Sequence, residues 1–234
     1  MDFTLTDEQR MLVKTIRRFV YDELIPLEDD IEATGALDPA AARSIFEKSR
    51  DLGFYAMNIP EEFGGGGLSA LETMLVEEQF GHCKDILIRR AFGNVYEVLL
   101  EGDAAQRERW LLPTVSGERT CSIAITEPGA GSDAASIPDA GVVCKGEWEG
   151  EEVLGMRVTF DKRYITLAPV CTVFGLAFHL YDPDRLLGGD EVLGITCALI
   201  PHDHPGVDIG RRHFPLNAVW MNGPVRGTDV FMPL

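Results

Sequence analysis

The stretch Ile123–Asp133 reads IAITEPGAGSD and stands where the chain changes character. Before it the hydrophobic pattern is helical; after it come runs rich in Val, Ile, Phe and Tyr. The stretch itself has the makings of a binding loop. Gly129 and Gly131 carry no side chain to hold a ligand away from the backbone. Successive free amides in such a loop form a concavity for an electron-rich group. Thr126 and Ser132 add two hydroxyls that can donate or accept.

Upstream of the loop, helix signals recur. Thr6 and Gln9 form a capping box ahead of a stripe at Leu12, Ile16, Phe19 and Val20. Pro26 bends or ends that helix. Asp38-Pro39 sets an N-cap with proline at the first helical position, and Gly53 stands where that helix should stop. Ser69 with Glu72, and Asp103 with Gln106, mark two further starts.

Downstream, strands are expected over 120–126, 141–145, 152–160, 170–181, 194–200 and 229–234. Turn-forming tracts such as DPDRLLGGD and PHDHPG separate them. Several strands in a row imply a barrel or sandwich. The expected fold is therefore α+β and multidomain: an all-α amino-terminal domain over 1–120, then an all-β barrel or sandwich over 121–234. The last residues, FMPL, end the chain inside a strand-like run. Such an end leaves an exposed edge and implies a continuation.

Composition narrows the function classes. At 234 residues, 45% hydrophobic and 25% charged, with mean hydropathy near zero, the chain can bury a proper core. No apolar run approaches the roughly 20 residues that cross a bilayer. The acidic, polar start MDFTLTDEQR is neither a secretory signal nor a transit peptide. A formal charge of −17 argues against nucleic acid, and against an anionic membrane, as a partner held by net charge. Local basic pockets, as around Arg211-Arg212, are compatible with that charge. Five cysteines, spread singly, suit a reducing compartment, so a cytoplasmic address is expected.

Other motifs have plainer readings. The tetraglycine Gly64–Gly67 lacks the following Lys-Ser/Thr of a phosphate loop and reads as a flexible turn. His202-Asp203-His204 has no further ligands clustered nearby and reads as a solvated loop, so no metal is expected. His82, His179 and His213 are isolated. Ser132 sits in GAGSD, not in a GxSxG elbow, and no hydrolase triad is in view.

The pattern Ala124-Ile125-Thr126-Glu127-Pro128-Gly129-Ala130-Gly131-Ser132-Asp133 resembles the marker loop of the acyl-CoA dehydrogenase family. LGFYAMNIPEEFGGGGLS and RERWLLPTVSGERTCSIAITE resemble the family's first domain and its approach to that loop, and DKRYIT resembles its second flavin-contacting strand. The resemblance covers essentially the whole chain and implies FAD as cofactor. It places Ile123, Ala124, Ile125, Thr126, Gly131 and Ser132 along the flavin, with Thr126 bonding the ring. Ser132 would touch the flavin phosphates or the pantetheine side of an acyl-CoA substrate. Tyr164, Ile165 and Thr166 would follow on the second strand, with the Tyr164 ring on the isoalloxazine and the Thr166 hydroxyl near flavin N5. For Glu127, a structural hydrogen bond at the loop is expected.

The implied reaction oxidises an acyl-CoA thioester to the 2-enoyl form, as in fatty-acid β-oxidation. It needs a base for the α-proton and an acceptor for the β-hydride. In the family the base is a glutamate of a third, helical-bundle domain, which also helps bind CoA and a neighbouring subunit's FAD. This sequence has no match to that domain, so no catalytic residue is assigned. The chain by itself is expected to be weak or inactive in catalysis, and the alternative is a non-catalytic flavin- or acyl-CoA-binding remnant or an assembly module. The resemblance also implies an electron-transferring flavoprotein as partner, and a homo-oligomer for the full-length form. From Ile137 onward the chain is similar to the large bacterial long-chain branch, which is peripheral at the inner membrane; the first half is similar to the compact soluble branch.

Overall fold

A computed structural model of the chain describes residues 4–92 and 95–234. By contacts it divides into two compact units. One is residues to Thr120 with Phe214–Trp220; the other is Cys121–His213 with Met221–Leu234.

The first unit is helical, and its helices start where local chemistry tells them to. In α1 (Asp7–Phe19) the Gln9 amide donates to the Thr6 hydroxyl while the Thr6 amide donates to Gln9 Oε1, both at 3.1 Å. These bonds satisfy amides that the helix start leaves without partners. The helix loosens into a π turn over Val20–Leu24 and ends in a 3₁₀ turn that contains Pro26. A short α2 follows (Glu28–Thr34). In α3 (Pro39–Asp51) the Asp38 carboxylate accepts from the Ala40 and Ala41 amides, and Gly53 takes the left-handed conformation just past the end. The α4 helix (Ala70–Phe80) carries the Ser69–Glu72 box.

Apolar faces then pack these helices together. Ile16 and Phe19 of α1, with Val76 and Phe80 of α4, lie in the interior. Arg17 Nε donates to the buried Gln79 at 2.8 Å and ties α1 to α4. The Ser49 hydroxyl donates to the Ala91 carbonyl at the end of α5 (Asp85–Ala91).

The tetraglycine is a tightly packed turn, not a flexible one. A Cβ on Gly66 would stand 2.9 Å from Met57 Cα, one on Gly65 would run into the Ile59 carbonyl, and Gly64 and Gly67 are left-handed. Amides of Gly65, Gly66 and Gly67 donate to the carbonyls of Pro60, Ala56 and Ile59. These glycines let one stretch of backbone lie directly on another.

The second unit is one curled sheet of seven strands: β1 (Cys121–Ala124), β2 (Ala140–Trp148), β3 (Glu151–Thr166), β4 (Val173–Tyr181), β5 (Val192–Pro201), β6 (Asp208–Ile209) and β7 (Asn222–Pro233). Alternate residues of several strands converge on one core that includes Val143, Val158, Phe160, Phe174, Phe178, Ile200 and Val230. Their neighbours in sequence face the other way, as the two-residue repeat of a strand requires.

Two irregularities in this sheet shape the region around residues 125–139. On one edge of β4, parallel β1 takes Val173–Leu176 and parallel β2 takes His179–Tyr181. The gap between the two spans about 10 Å at 3.3 Å per residue, yet the fifteen residues 125–139 connect them. The surplus must leave the sheet as a loop. On β3, the pairing with β7 jumps from Lys162↔Val225 to Ile165↔Gly223, so Arg163 and Tyr164 oppose Pro224 alone. This is a bulge, and Pro224, which has no amide to donate, falls where the ladder is already broken.

β7 runs from Asn222 instead of beginning at the expected Asp229, and it carries Gly223, Pro224 and Gly227, residues that seldom sit inside a strand. Gly227 is there for packing: a Cβ would come within 2.5 Å of the Phe160 ring, which is in the core. Gly227→Ala should destabilise the chain by about 1–3 kcal/mol through overpacking. Gly189→Ala, where a Cβ meets nothing within 4 Å, should be close to neutral. Thermal melts of the two variants beside the parent check the contrast.

Candidate functional site

The loop 125–139 starts beside the bulged end of β3. The Arg163 amide donates to the Thr126 carbonyl at 2.8 Å, and the Ser122 hydroxyl donates to the Thr166 carbonyl. Residues 122–126 therefore run alongside 163–166 in the opposite direction. The two segments singled out in sequence become neighbours through these bonds.

Within the pair, side chains divide by role. Ala124 and Ile165 are buried in the sheet core. Ile125 packs on a smaller cluster of Ala130, Ile137 and Ala177, which fastens the loop over β4. Ile123, Thr126 and Thr166 are half-buried. Gly131 and Ser132 are exposed farther along the loop. Ser132 is not brought by any hydrogen bond to Tyr164–Thr166 among the described residues; beyond it, the Ser136 hydroxyl closes a turn on the Asp133 carboxylate.

Tyr164 is the strained member. Its φ is +57°, a region that a bulky side chain seldom occupies, and the residue is 56% exposed. Three contacts hold it there. Asn222 Nδ2 donates to the Tyr164 carbonyl at 2.8 Å, the His213 ring lies 5.3 Å away, and the Arg163 guanidinium stands 5.9 Å from the ring centre. His213 is in turn held to Asn222 through both backbone and side chain.

Beneath the loop lies a buried charge cluster. The Lys162 side chain is fully buried, and its Nζ donates to the Ile125 carbonyl at 3.2 Å and to Glu127 Oε1. The same nitrogen is 2.8 Å from Asp139 Oδ2, close enough to pair by charge, although that oxygen has no well-aligned hydrogen bond. Asp139 Oδ1 accepts from the Asp161 amide. Two carboxylates thus share one cation away from water. Burial pushes the Glu127 carboxyl above its ordinary 4.5; Lys162 pulls it down, and Asp139 adds to the rise. The expectation of a structural role for Glu127 understates the case, since it anchors the loop to β3.

Sequence reasoning did not single out Lys162, Asp139 or Asn222, and left His213 as isolated. A lysine between Asp161 and Arg163 looks solvated, and nothing adjacent to it marks it as buried. The other histidine motif is structural at His204, whose ring stacks on Trp148 at 5.1 Å and whose Nε2 bonds the Phe231 carbonyl at 2.8 Å. Among the described residues no group of three His, Cys, Asp or Glu side chains could hold a metal ion.

Residues 6–118 match the model of the acyl-CoA dehydrogenase N-terminal domain. The chain is 32% identical over 218 residues to benzylmalonyl-CoA dehydrogenase of Aromatoleum aromaticum, covering 90% of this chain and 52% of that protein. Among solved structures, an acyl-CoA dehydrogenase from Geobacillus kaustophilus aligns over 100% of this chain and 58% of its own, with a TM-score of 0.77 at 22% identity. A structure described as an FAD complex of PigA aligns over the same shares, with a TM-score of 0.77 at 25% identity. The chain belongs to the acyl-CoA dehydrogenase family. It spans about half or less of the length of the curated relatives it matches.

The raised Glu127 carboxyl predicts a pH signature. The folded chain keeps this proton to higher pH than the unfolded chain does. The stability gained is full below 4.5 and is lost as pH rises through the higher folded value. Glu127→Gln removes that titration while keeping the shape. Its melting temperature relative to the parent should therefore climb as pH rises above 4.5. Paired melts across a pH series check it; a constant difference contradicts it.

Proposed function

We propose that this chain is the flavin-holding part of an acyl-CoA dehydrogenase, binding FAD along Ile123–Ser132 and Tyr164–Thr166. The observation that carries this reading is the pair Gly129 and Gly131. Neither is left-handed, and a Cβ on either meets nothing within 4 Å. Neither backbone conformation nor packing within the described residues calls for glycine there, so the space suits a ligand approaching the backbone.

Further support comes from the donor set. Among the described residues the amides of Thr126, Gly131 and Ser132 donate to no acceptor of the chain. They suit the electron-rich edges and phosphates of a flavin nucleotide. Thr126 and Thr166 bring hydroxyls to adjoining segments, and the exposed Tyr164 ring is shaped to lie against a planar partner.

On this reading FAD, when bound, supplies the acceptor for the hydride leaving the β-carbon of an acyl-CoA. The chain's own residues bind and orient. Thr126 would bond the ring edge, Tyr164 would cover one face and exclude water, and the Thr166 hydroxyl would serve the acceptor atom. Ser132 serves the phosphates or the pantetheine arm of the substrate. No carboxylate of this chain is assigned as the α-proton base; Glu127 and Asp139, the buried pair next to the loop, are engaged with Lys162. The base belongs, on the family's pattern, to a helical domain like that of full-length members. Fatty-acid β-oxidation as the setting, an electron-transferring flavoprotein as acceptor, a homo-oligomer, and a cytoplasmic address are parts of the same proposal. Among the described residues no helix is long and apolar enough to cross a membrane. The domain division at residue 120 is proposed as the boundary between the helical part and the flavin-holding part.

The test is an FAD titration followed by flavin absorbance after desalting. The parent chain should retain FAD. Gly131→Val should weaken binding about tenfold or more while changing stability by no more than about 0.5 kcal/mol, as a substitution into open space does. Equal binding by parent and variant would overturn the assignment of the loop.

A further inference from the structure

We propose that Lys162 is the positioning residue of the flavin loop: one buried ammonium clamps both ends of residues 125–139 and aims the Thr126 amide at the ligand. The inference rests on the loop being the flavin site, and it names the device that sets the loop's geometry.

Three contacts carry it. Lys162 Nζ reaches the Ile125 carbonyl and Glu127 at the start of the loop, and Asp139 at its last residue before β2. The peptide between Ile125 and Thr126 is planar, and its C=O and N–H point in opposite directions when trans. No cis peptide occurs among the described residues. Pinning the Ile125 carbonyl on Lys162 therefore turns the Thr126 N–H away from the cluster. That N–H donates to no acceptor among the described residues. On the far side, the Thr126 carbonyl is fixed by the Arg163 amide. Both peptide planes flanking Thr126 are thus set by adjacent residues of β3.

The alternative is that Lys162 only stabilises the fold. A buried ion pair is a weak source of stability, and apolar groups of the same volume often serve as well. What apolar groups cannot do is orient a carbonyl and a carboxylate by hydrogen bonds and hold a second carboxylate by charge around one point. A lysine side chain also loses much rotamer freedom when fully buried, a cost that an apolar residue would reduce. Directional control of the loop accounts for this choice; packing alone does not.

Removing Lys162 alone would strand two buried carboxylates and threaten folding itself. The informative variant is therefore the neutral triple, Lys162→Met with Glu127→Gln and Asp139→Asn. Amide hydrogen exchange of the ligand-free chain is read first, then FAD affinity by titration. Exchange should quicken in 125–139 and stay unchanged in β2, the paired part of β3, and β7. FAD affinity should fall about ten- to a hundredfold, the scale of a lost charge-assisted contact. Parent-like loop protection and affinity would overturn the proposal. So would exchange that quickens evenly through the β unit, which is the mark of a merely structural residue. If the parent chain itself retains no FAD, the flavin reading fails. The exchange measurement then still decides whether Lys162 clamps the loop.

Discussion

A lysine with no exposed side chain, facing two carboxylates, is the constraint on which the site depends. Burying three ionisable groups is costly unless each is paired, and here the pairing is what gives the loop its shape. Fifteen residues have left the sheet between β1 and β2, with no strand partner along most of their length. Lys162 supplies from beneath the order that a ladder would otherwise give. The small apolar cluster around Ile137 and Ala177 adds a second attachment.

The bulge in β3 works with this anchor. It turns Tyr164 outward while leaving Phe160 and Ile165 on the core side. The left-handed backbone at Tyr164 is tolerated because Asn222 and His213 brace it from the neighbouring segments. Open space over Gly129 and Gly131 and the free amides of Thr126, Gly131 and Ser132 fall within one short loop that starts beside it. The charge of the whole chain, −17, repels an anionic cofactor at long range. Beyond roughly 8 Å that field is screened at physiological salt. On the proposed reading, binding then falls to local donors of the kind this loop presents.

Much of this was legible in sequence where the signal is local. Capping boxes at Thr6, Ser69 and Asp103 depend on residues three apart, and each forms as read. The loop and Tyr164–Thr166 were legible as a pattern of residue types, and bonds from the Arg163 amide and the Ser122 hydroxyl place them side by side. The first half of β7 was not legible, since Pro224 fits a strand only opposite a bulge that the other strand provides. Lys162 was not legible for a related reason. Between Asp161 and Arg163 it looks solvated, and its burial is decided by Glu127 and Asp139, which lie 35 and 23 positions away. The tetraglycine misled in the opposite sense, because glycines that permit motion in an open chain here permit close backbone packing.

If residues 123–132 and 164–166 form one flavin surface, a bound flavin should shield both stretches at once. Amide hydrogen exchange of the chain with and without saturating FAD tests this most directly. New protection is expected in those two stretches together, with the helical unit unchanged. Protection elsewhere, or none in either stretch at saturation, would contradict it.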